Sequence, residues 1–300
     1  MAVEHLRTVE KDTRIVSMGL FSGKNVSACI GRAHMDFPGI VVVDDTTKTN
    51  RMVIVSPGTA RGHDFSTNLH WGDYRIKMVE HLLAALWVKR INKVLISVDG
   101  DEIPIMDGSA KSWVNLLDCA QVHTEYKTAP YEFWPNGLPH LIVDDTIQVE
   151  DGDSYLRYTP HPYRFSVDIS VNHPCKTIGY QRHTADLHPL HFWEEIMAAR
   201  TFCHVDQAIS LKLQGYALGN TLDNTVLFSE KGIINKSGLL FPDEYVRHEV
   251  LDLVGDLYIL GLPLLGHIEG HNPNHRLNVQ LAQKLAERLT TLSLWEEKWI

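Results

Sequence analysis

Residues 244–260, EYVRHEVLDLVGDLYIL, keep the apolar period of a helix and set Glu244, His248, Asp252 and Asp256 into it at four-residue spacing. On a helix these four form one row, outside which Val246, Val250, Leu253, Val254 and Leu257 largely fall. An H-x3-D pair on one face suits either a solvated surface or a metal, because imidazole and carboxylate one turn apart reach the same cation. Two ligands do not complete a site, so the metal reading requires a third from elsewhere in the chain.

The segment VEHLLAAL supplies a candidate. His81 follows Glu80 at the start of a second predicted helix whose other positions are apolar, a boundary from which side chains project into a cleft. A zinc site of His81, His248 and Asp252 leaves a fourth position open for water, the pattern of catalytic rather than structural zinc. Glu80, adjacent and not needed as a ligand, is then placed to take a proton from that water. The same donor set suits iron(II).

The elements that must position these residues alternate between strand and helix patterns. VSACIGR, IVVVDD and MVIVS read as strands, MVEHLLAALWV as a helix, KVLISVD as a strand and AKSWVNLLDCAQ as a helix. Residues 124–140, with three prolines and no period, read as a linker. Beyond it come strands at LIVDDTIQV and FSVDISV, a helix at LHFWEEIMAAR and the long helix over 244–260. The chain is therefore expected to be α+β, with domains over 1–125 and 140–300. In EIPIMDGSA, Asp107 and Gly108 read as a turn and Ser109 as a helix cap.

Composition narrows the function. Three hundred residues with 44 % hydrophobic content exceed a single ordinary core, and a net charge of −9 without a Lys/Arg cluster argues against nucleic acid as a partner. The charged N-terminus lacks a secretory apolar stretch, and no uncharged apolar run is long enough to span a bilayer. Four scattered cysteines suit free thiols, so a cytoplasmic enzyme is expected, acting as a monomer on a small molecule.

Seven segments in order, GLFSGKNV, VEHLLAAL, DGDEIPIMDGSA, NHPCKTIGYQRHTAD, AARTF, DEYVRHEVLDLVGDL and NHRLN, resemble the zinc-dependent UDP-3-O-acyl-N-acetylglucosamine deacetylases of lipid A synthesis. The resemblance covers nearly the whole chain. It implies two domains of similar topology, each a β-sheet layered with a pair of helices, around an active site in the cleft between them. It also implies that His81, His248 and Asp252 bind the metal and that Glu80 is the general base. In the same resemblance His275 protonates the leaving amine, Asp256 orients His275, Thr201 stabilises the oxyanion, and NHPCKTIGYQRHTAD forms an acyl tunnel.

Departures from the family pattern bear on the substrate. Glu249 stands where the family has a lysine, Asn272 and Asn274 replace a lysine and a glycine, Ser154 replaces a third basic residue, and Phe21 replaces a histidine. Losing two charge-assisted contacts of about 1.5–3 kcal/mol each would weaken a diphosphate by about two to four decades. Either Arg276 or Lys176 replaces them, or the chain hydrolyses an N-acylated amine without a diphosphate. A metal-binding regulator without activity is disfavoured, since it gives Glu80, His275 and Asp256 nothing to do.

Overall fold

The computed structural model describes residues 5–34, 39–46, 51–126 and 140–289. In the first half the strands are β1 (His5–Val9), β2 (Thr13–Met18), β3 (Asn25–Gly31), β4 (Ile40–Asp44), β5 (Met52–Ile54), β6 (Ala60–Gly62), β7 (Thr67–Trp71) and β8 (Tyr74–Ile76). Helix α1 (Glu80–Lys89), β9 (Val94–Val98), α2 (Lys111–Ala120) and β10 (Val122–Tyr126) follow. The second half runs β11 (Ile147–Asp151), β12 (Ser154–Thr159), β13 (Phe165–Asn172), β14 (Tyr180–Asp186) and α3 (Pro189–Glu195). It continues with β15 (Phe202–His204), α4 (Val205–Leu213), β16 (Val226–Ser229), β17 (Gly232–Ile233), α5 (Glu244–Leu257), β18 (Gly266–His271) and α6 (His275–Arg288).

Each half contains a five-stranded sheet, and the two sheets share one topology. The orders are β2-β3-β9-β4-β5 and β11-β12-β18-β13-β14. In both, the third and fourth strands in spatial order pair in parallel (β9 with β4, β18 with β13) and every other pair is antiparallel. In both, one helix precedes the last strand and one follows it, so α1 corresponds to α5 and α2 to α6. The α+β expectation therefore holds, and a single buried cluster runs through both halves, from Ile30, Leu83 and Trp113 to Ile169, Leu253 and Leu281.

The halves differ in what precedes the central helix. Between β5 and α1 lies the small sheet β6-β7-β8, whereas between β14 and α5 lie α3, α4 and the sheet β15-β16-β17.

Four element boundaries differ from the sequence reading. The helix expected over 244–260 is α-helical only to Leu257 and ends in a 3-10 turn over Tyr258–Leu260, closed at Gly261 (φ +80°). The helix expected over LHFWEEIMAAR stops at Glu195, because the next residues turn their backbone toward α5: the Ala199 carbonyl meets His248 and the Arg200 N–H meets Glu244. Of LIVDDTIQV only Leu141 forms a bridge before β11 begins at Ile147. The linker region is strand as far as Tyr126, where β10 pairs with β1, and 127–139 lie outside the described residues.

Candidate metal and catalytic site

Helix α1 begins at a point the backbone has to be forced into. Met78 is buried with φ +66°, a left-handed conformation costly for a branchless but bulky residue, and it turns the chain so that Val79 donates to the Thr67 carbonyl. The Thr67 N–H in turn donates to Glu80 Oε2 at 2.9 Å. Gly255 lets α5 approach from the other side, since a Cβ there would lie 2.0 Å from the Glu80 carbonyl oxygen. Together these hold Glu80 and His81 against the polar row of α5.

That row is buried, which excludes the solvated-face reading. Glu244, His248, Asp252 and Asp256 are each at most 7 % exposed. Three of the four have a hydrogen-bond partner suited to their charge. Glu244 accepts from Arg200 Nε at 2.8 Å, His248 Nδ1 lies 3.0 Å from the Ala199 carbonyl, and Asp256 Oδ2 accepts from Asn278 Nδ2 at 2.9 Å.

His81, His248 and Asp252 converge. His81 Nε2 lies 3.3 Å from Asp252 Oδ1, His248 Nε2 lies 3.4 Å from Asp252 Oδ2, and one ligand atom from each of the three fits within a 4.8 Å span. The residues fit a divalent ion. The Ala199 carbonyl takes the Nδ1 proton of His248 and so leaves Nε2 with its lone pair toward Asp252. Asp252 Oδ1 and His81 Nδ1 are buried with no hydrogen-bond partner among the described residues, a cost that a bound cation would offset at the carboxylate. Burial pushes the Asp252 carboxyl up, but the adjacent imidazoles of His248 and His81 outweigh it and hold the pKa down at about 2.

Glu80 and His275 flank this group. Burial raises the Glu80 carboxyl to about 7, against the opposing influence of His275 and His81. Burial alone would lower His275; Asp256, whose Oδ2 sits 3.0 Å from His275 Nδ1, raises it well above the ordinary histidine value. Both groups are displaced upward, which sets a carboxylate that ionises near neutral pH beside an imidazole that keeps its proton there, the pair of states that a base and an acid require. His275 Nε2 lies 4.0 Å from Asp252 Oδ2, on the metal side.

A cleft of about 840 Å³ opens over these groups, lined by His248, Glu249, Asp252, His275, Thr201 and the aromatic rings of Phe21, Phe202, Phe228 and Tyr245. Thr201 is held by its own backbone, donating to the Gly108 carbonyl at 2.8 Å and accepting from the Val226 N–H at 2.8 Å. Gly108 (φ +80°) could not be replaced there, because a Cβ would meet the Asn224 carbonyl at 2.0 Å. The DGS turn thus joins the two halves beside the cleft, while Ser109 Oγ accepts from Lys111 N–H one residue before the cap position.

Residues 6–287 match the family of UDP-3-O-acyl N-acetylglycosamine deacetylases. The chain belongs to this family. Curated relatives named UDP-3-O-acyl-N-acetylglucosamine deacetylase include one from Acidithiobacillus ferrooxidans, 34 % identical over 88 % of this chain and 84 % of the relative. One from Syntrophus aciditrophicus is 34 % identical over 89 % and 83 %, and one from Myxococcus xanthus 35 % identical over 88 % and 81 %. The chain is thus a hydrolytic deacetylase by family, and no helix among its described residues is long and apolar enough to cross a membrane.

Of the positions at which this deacetylase departs from the family pattern, Glu249, Asn274 and Phe21 line the cleft. Ser154 sits in the β11–β12 hairpin opposite Asp151, and Asn272 (φ +45°) accepts from the Asn172 N–H at 2.7 Å; neither lines the cleft. Asn274 caps α6, its Oδ1 accepting from the Leu277 N–H at 3.1 Å, which fixes the helix on which His275 is the first residue. The proposed phosphate replacements are also elsewhere: Arg276 pairs with Asp64 and Lys176 is exposed, and neither lines the cleft. Lys77 is the sole lysine or arginine among the described residues that do. Of NHPCKTIGYQRHTAD, only His173 reaches the cleft.

Sequence reasoning missed Gly255, Asn278 and the Ala199 carbonyl. Asn278 had a readable signal: in NHRLN it lies one turn after His275, on the same helix face. Gly255 and Ala199 act through backbone, which no side-chain pattern announces.

Proposed function

We propose that this deacetylase removes the acetyl group from UDP-3-O-acyl-N-acetylglucosamine in lipid A synthesis, using zinc held by His81, His248 and Asp252, with iron(II) able to occupy the same donor set. The observation that supports it most is the meeting of that donor set with a buried carboxylate and a carboxylate-paired histidine beside the cleft that His248, Asp252 and His275 line. A bound divalent ion supplies Lewis acidity to water and to the amide carbonyl. Glu80 takes a proton from the attacking water, its raised pKa making it a base near neutral pH. His275, kept protonated by Asp256, gives its proton to the departing amine nitrogen. The Thr201 hydroxyl donates to the carbonyl oxygen as that oxygen gains charge. The balance closes: water supplies OH to the acetyl carbon and a proton to Glu80, and His275 supplies the proton that the amine leaves with.

A second reading, an N-acylated amine without a diphosphate, is favoured by the small positive charge of the cleft walls, where Lys77 is the sole lysine or arginine among the described residues that line them and stands against Asp64. The test is to incubate the zinc-loaded protein with the acylated UDP-sugar and with N-acetyl amines lacking phosphate, and to follow free amine. Release from the UDP-sugar alone is expected; release only from the others overturns the leading substrate.

In this reading the two repeated sheets with their helix pairs are the domains, 1–125 and 140–300. All the proposed machinery comes from one chain, which supports a monomer, and Cys29, Cys119, Cys175 and Cys203 are free thiols, which supports the cytoplasm.

A further inference from the structure

A second group of metal-type side chains lies beside the N-terminal turn of α5, and none of its residues lines the cleft. One ring nitrogen each from His183 and His191 and one oxygen of Glu195 fall within 4.8 Å of one another. His183 is on β14, while His191 and Glu195 are four residues apart on α3 and so share one helix face. Nothing in the proposed reaction uses them.

The state of the two imidazoles points to a missing partner. His183 is 8 % exposed, and its Nδ1 lies 3.3 Å from Asp243 Oδ2. Its Nε2, and the Nε2 of His191, are buried atoms with no hydrogen-bond partner among the described residues. A buried imidazole whose Nδ1 faces a carboxylate and whose Nε2 faces nothing has the arrangement of a metal-ligating histidine with its orienting carboxylate. Chance burial of one such nitrogen would cost stability, and two beside the same carboxylate cost more.

The charges also suit a cation. Arg247 is the positive group nearest the cluster, and it is already engaged by two carboxylates, Nε with Asp243 Oδ1 at 2.6 Å and Nη1 with Glu195 Oε2 at 2.8 Å. Two carboxylates and one guanidinium leave the pocket with a single net negative charge before any ion enters.

We propose that His183 Nε2, His191 Nε2 and Glu195 bind a second divalent transition-metal ion of the zinc class, with Asp243 orienting His183. The donor set, two imidazoles and one carboxylate, selects zinc-like ions over calcium or magnesium, which prefer oxygen. Such an ion ties β14 and α3 to the N-terminal turn of α5, since Asp243 is the cap residue of that helix and Arg247 lies one turn in, directly before His248. Its role is that of a clip which fixes the entry of the helix carrying His248 and Asp252.

The test counts metal. Metal-free protein is reconstituted with Zn²⁺, freed of excess, and analysed for zinc per chain alongside His191→Ala, His81→Ala and the double variant, each checked for fold by circular dichroism. Two zinc ions are expected in the wild type, one in each single variant and none in the double. His191 is only half-buried, so its truncation should spare the fold, and Asp243→Asn offers a milder second lesion that lowers affinity for the second zinc by about 10–100-fold. A single zinc that survives His191→Ala and vanishes in His81→Ala overturns the proposal, as do two that both survive His191→Ala. A single zinc that vanishes in His191→Ala and survives His81→Ala supports this site while rejecting the catalytic one, so the two readings fail separately.

Discussion

Helices α1 and α5 occupy corresponding places in the two halves, yet they bury different chemistry. Both are buried along most of their length. Helix α1 is apolar after its first turn and offers only Glu80 and His81, at the end where backbone N–H groups are free. Helix α5 carries a polar residue every fourth position, and the second half supplies partners for three of the four: Arg200 for Glu244, the Ala199 carbonyl for His248, and Asn278 with His275 for Asp256, while Asp252 meets His81 of the first half. A repeated scaffold thus becomes one asymmetric site. In the proposed mechanism the first half gives a base and one ligand, the second gives two ligands, an acid and its orienter, and neither half would hold enough to work alone.

The comparison breaks hardest at the contribution of the first half. Glu80→Gln keeps the Thr67 N–H partner and the shape but cannot accept a proton, so turnover should fall by about 10²–10⁴-fold with metal content unchanged. His248→Ala should lose the catalytic metal altogether, read by elemental analysis, because two ligands do not hold what three did. Equal zinc in His248→Ala and wild type would remove α5 from the metal site.

In the second half the equivalent lesion is Asp256→Asn. In the wild type, activity should rise with pH as Glu80 loses its proton, near 7, and fall at higher pH as His275 loses its own, well above the ordinary histidine value. Because the two groups interact, the limbs describe the pair. Removing the Asp256 charge removes the largest influence that raises His275 and a lesser one that raises Glu80, so the falling limb should move to lower pH by more than the rising limb does. The rate loss is bounded by the general acid's whole contribution, about 10²–10⁴-fold. A falling limb at its wild-type pH would show that Asp256 does not govern His275.

The joint between the halves is tested by Gly255→Ala. Helix propensity alone favours alanine by about 1 kcal/mol. The added Cβ, however, would meet the Glu80 carbonyl at 2.0 Å and the Ala84 nitrogen at 3.2 Å, and both are backbone, which cannot rotate away. The clash should win, with a loss of about 1–3 kcal/mol in denaturant unfolding and weaker metal binding as Glu80 and His81 are pushed off α5. A more stable variant would mean that α1 and α5 approach less closely than this.

Much of the site was legible because its chemistry sits in side chains at helical spacing. The row on α5 could be read from period four, and Glu80–His81 from a polar pair opening an apolar helix. What was not legible acts through the backbone or through contacts distant in sequence: the left-handed turn at Met78, the carbonyl of Ala199, the close approach at Gly255 and the end of α3 at Glu195. The same limit explains the phosphate candidates, since Arg276 is next to His275 in sequence but faces Asp64. The shared strand order was hidden too, because β-pairing depends on which strands meet and the segments themselves show no sequence repeat.

The smallest expected effect belongs to Glu249, an acid of α5 that stands outside the row of four and lines the cleft. Burial, reinforced by Asp252, raises its carboxyl to about 8, so near neutral pH it is mostly protonated and does not oppose a diphosphate. That reconciles its place in the cleft with an acylated UDP-sugar. Above pH 8 it ionises and becomes a repulsive charge. The KM for the UDP-sugar should then rise in the wild type by about tenfold, about 1.4 kcal/mol, the size of a unit-charge repulsion partly screened by water. Glu249→Gln, which stays neutral, should flatten that rise and leave turnover near pH 7 within a small factor. If the KM stays level through this range in the wild type, Glu249 does not face the anionic part of the substrate. The cleft would then be free to take an amine without phosphate.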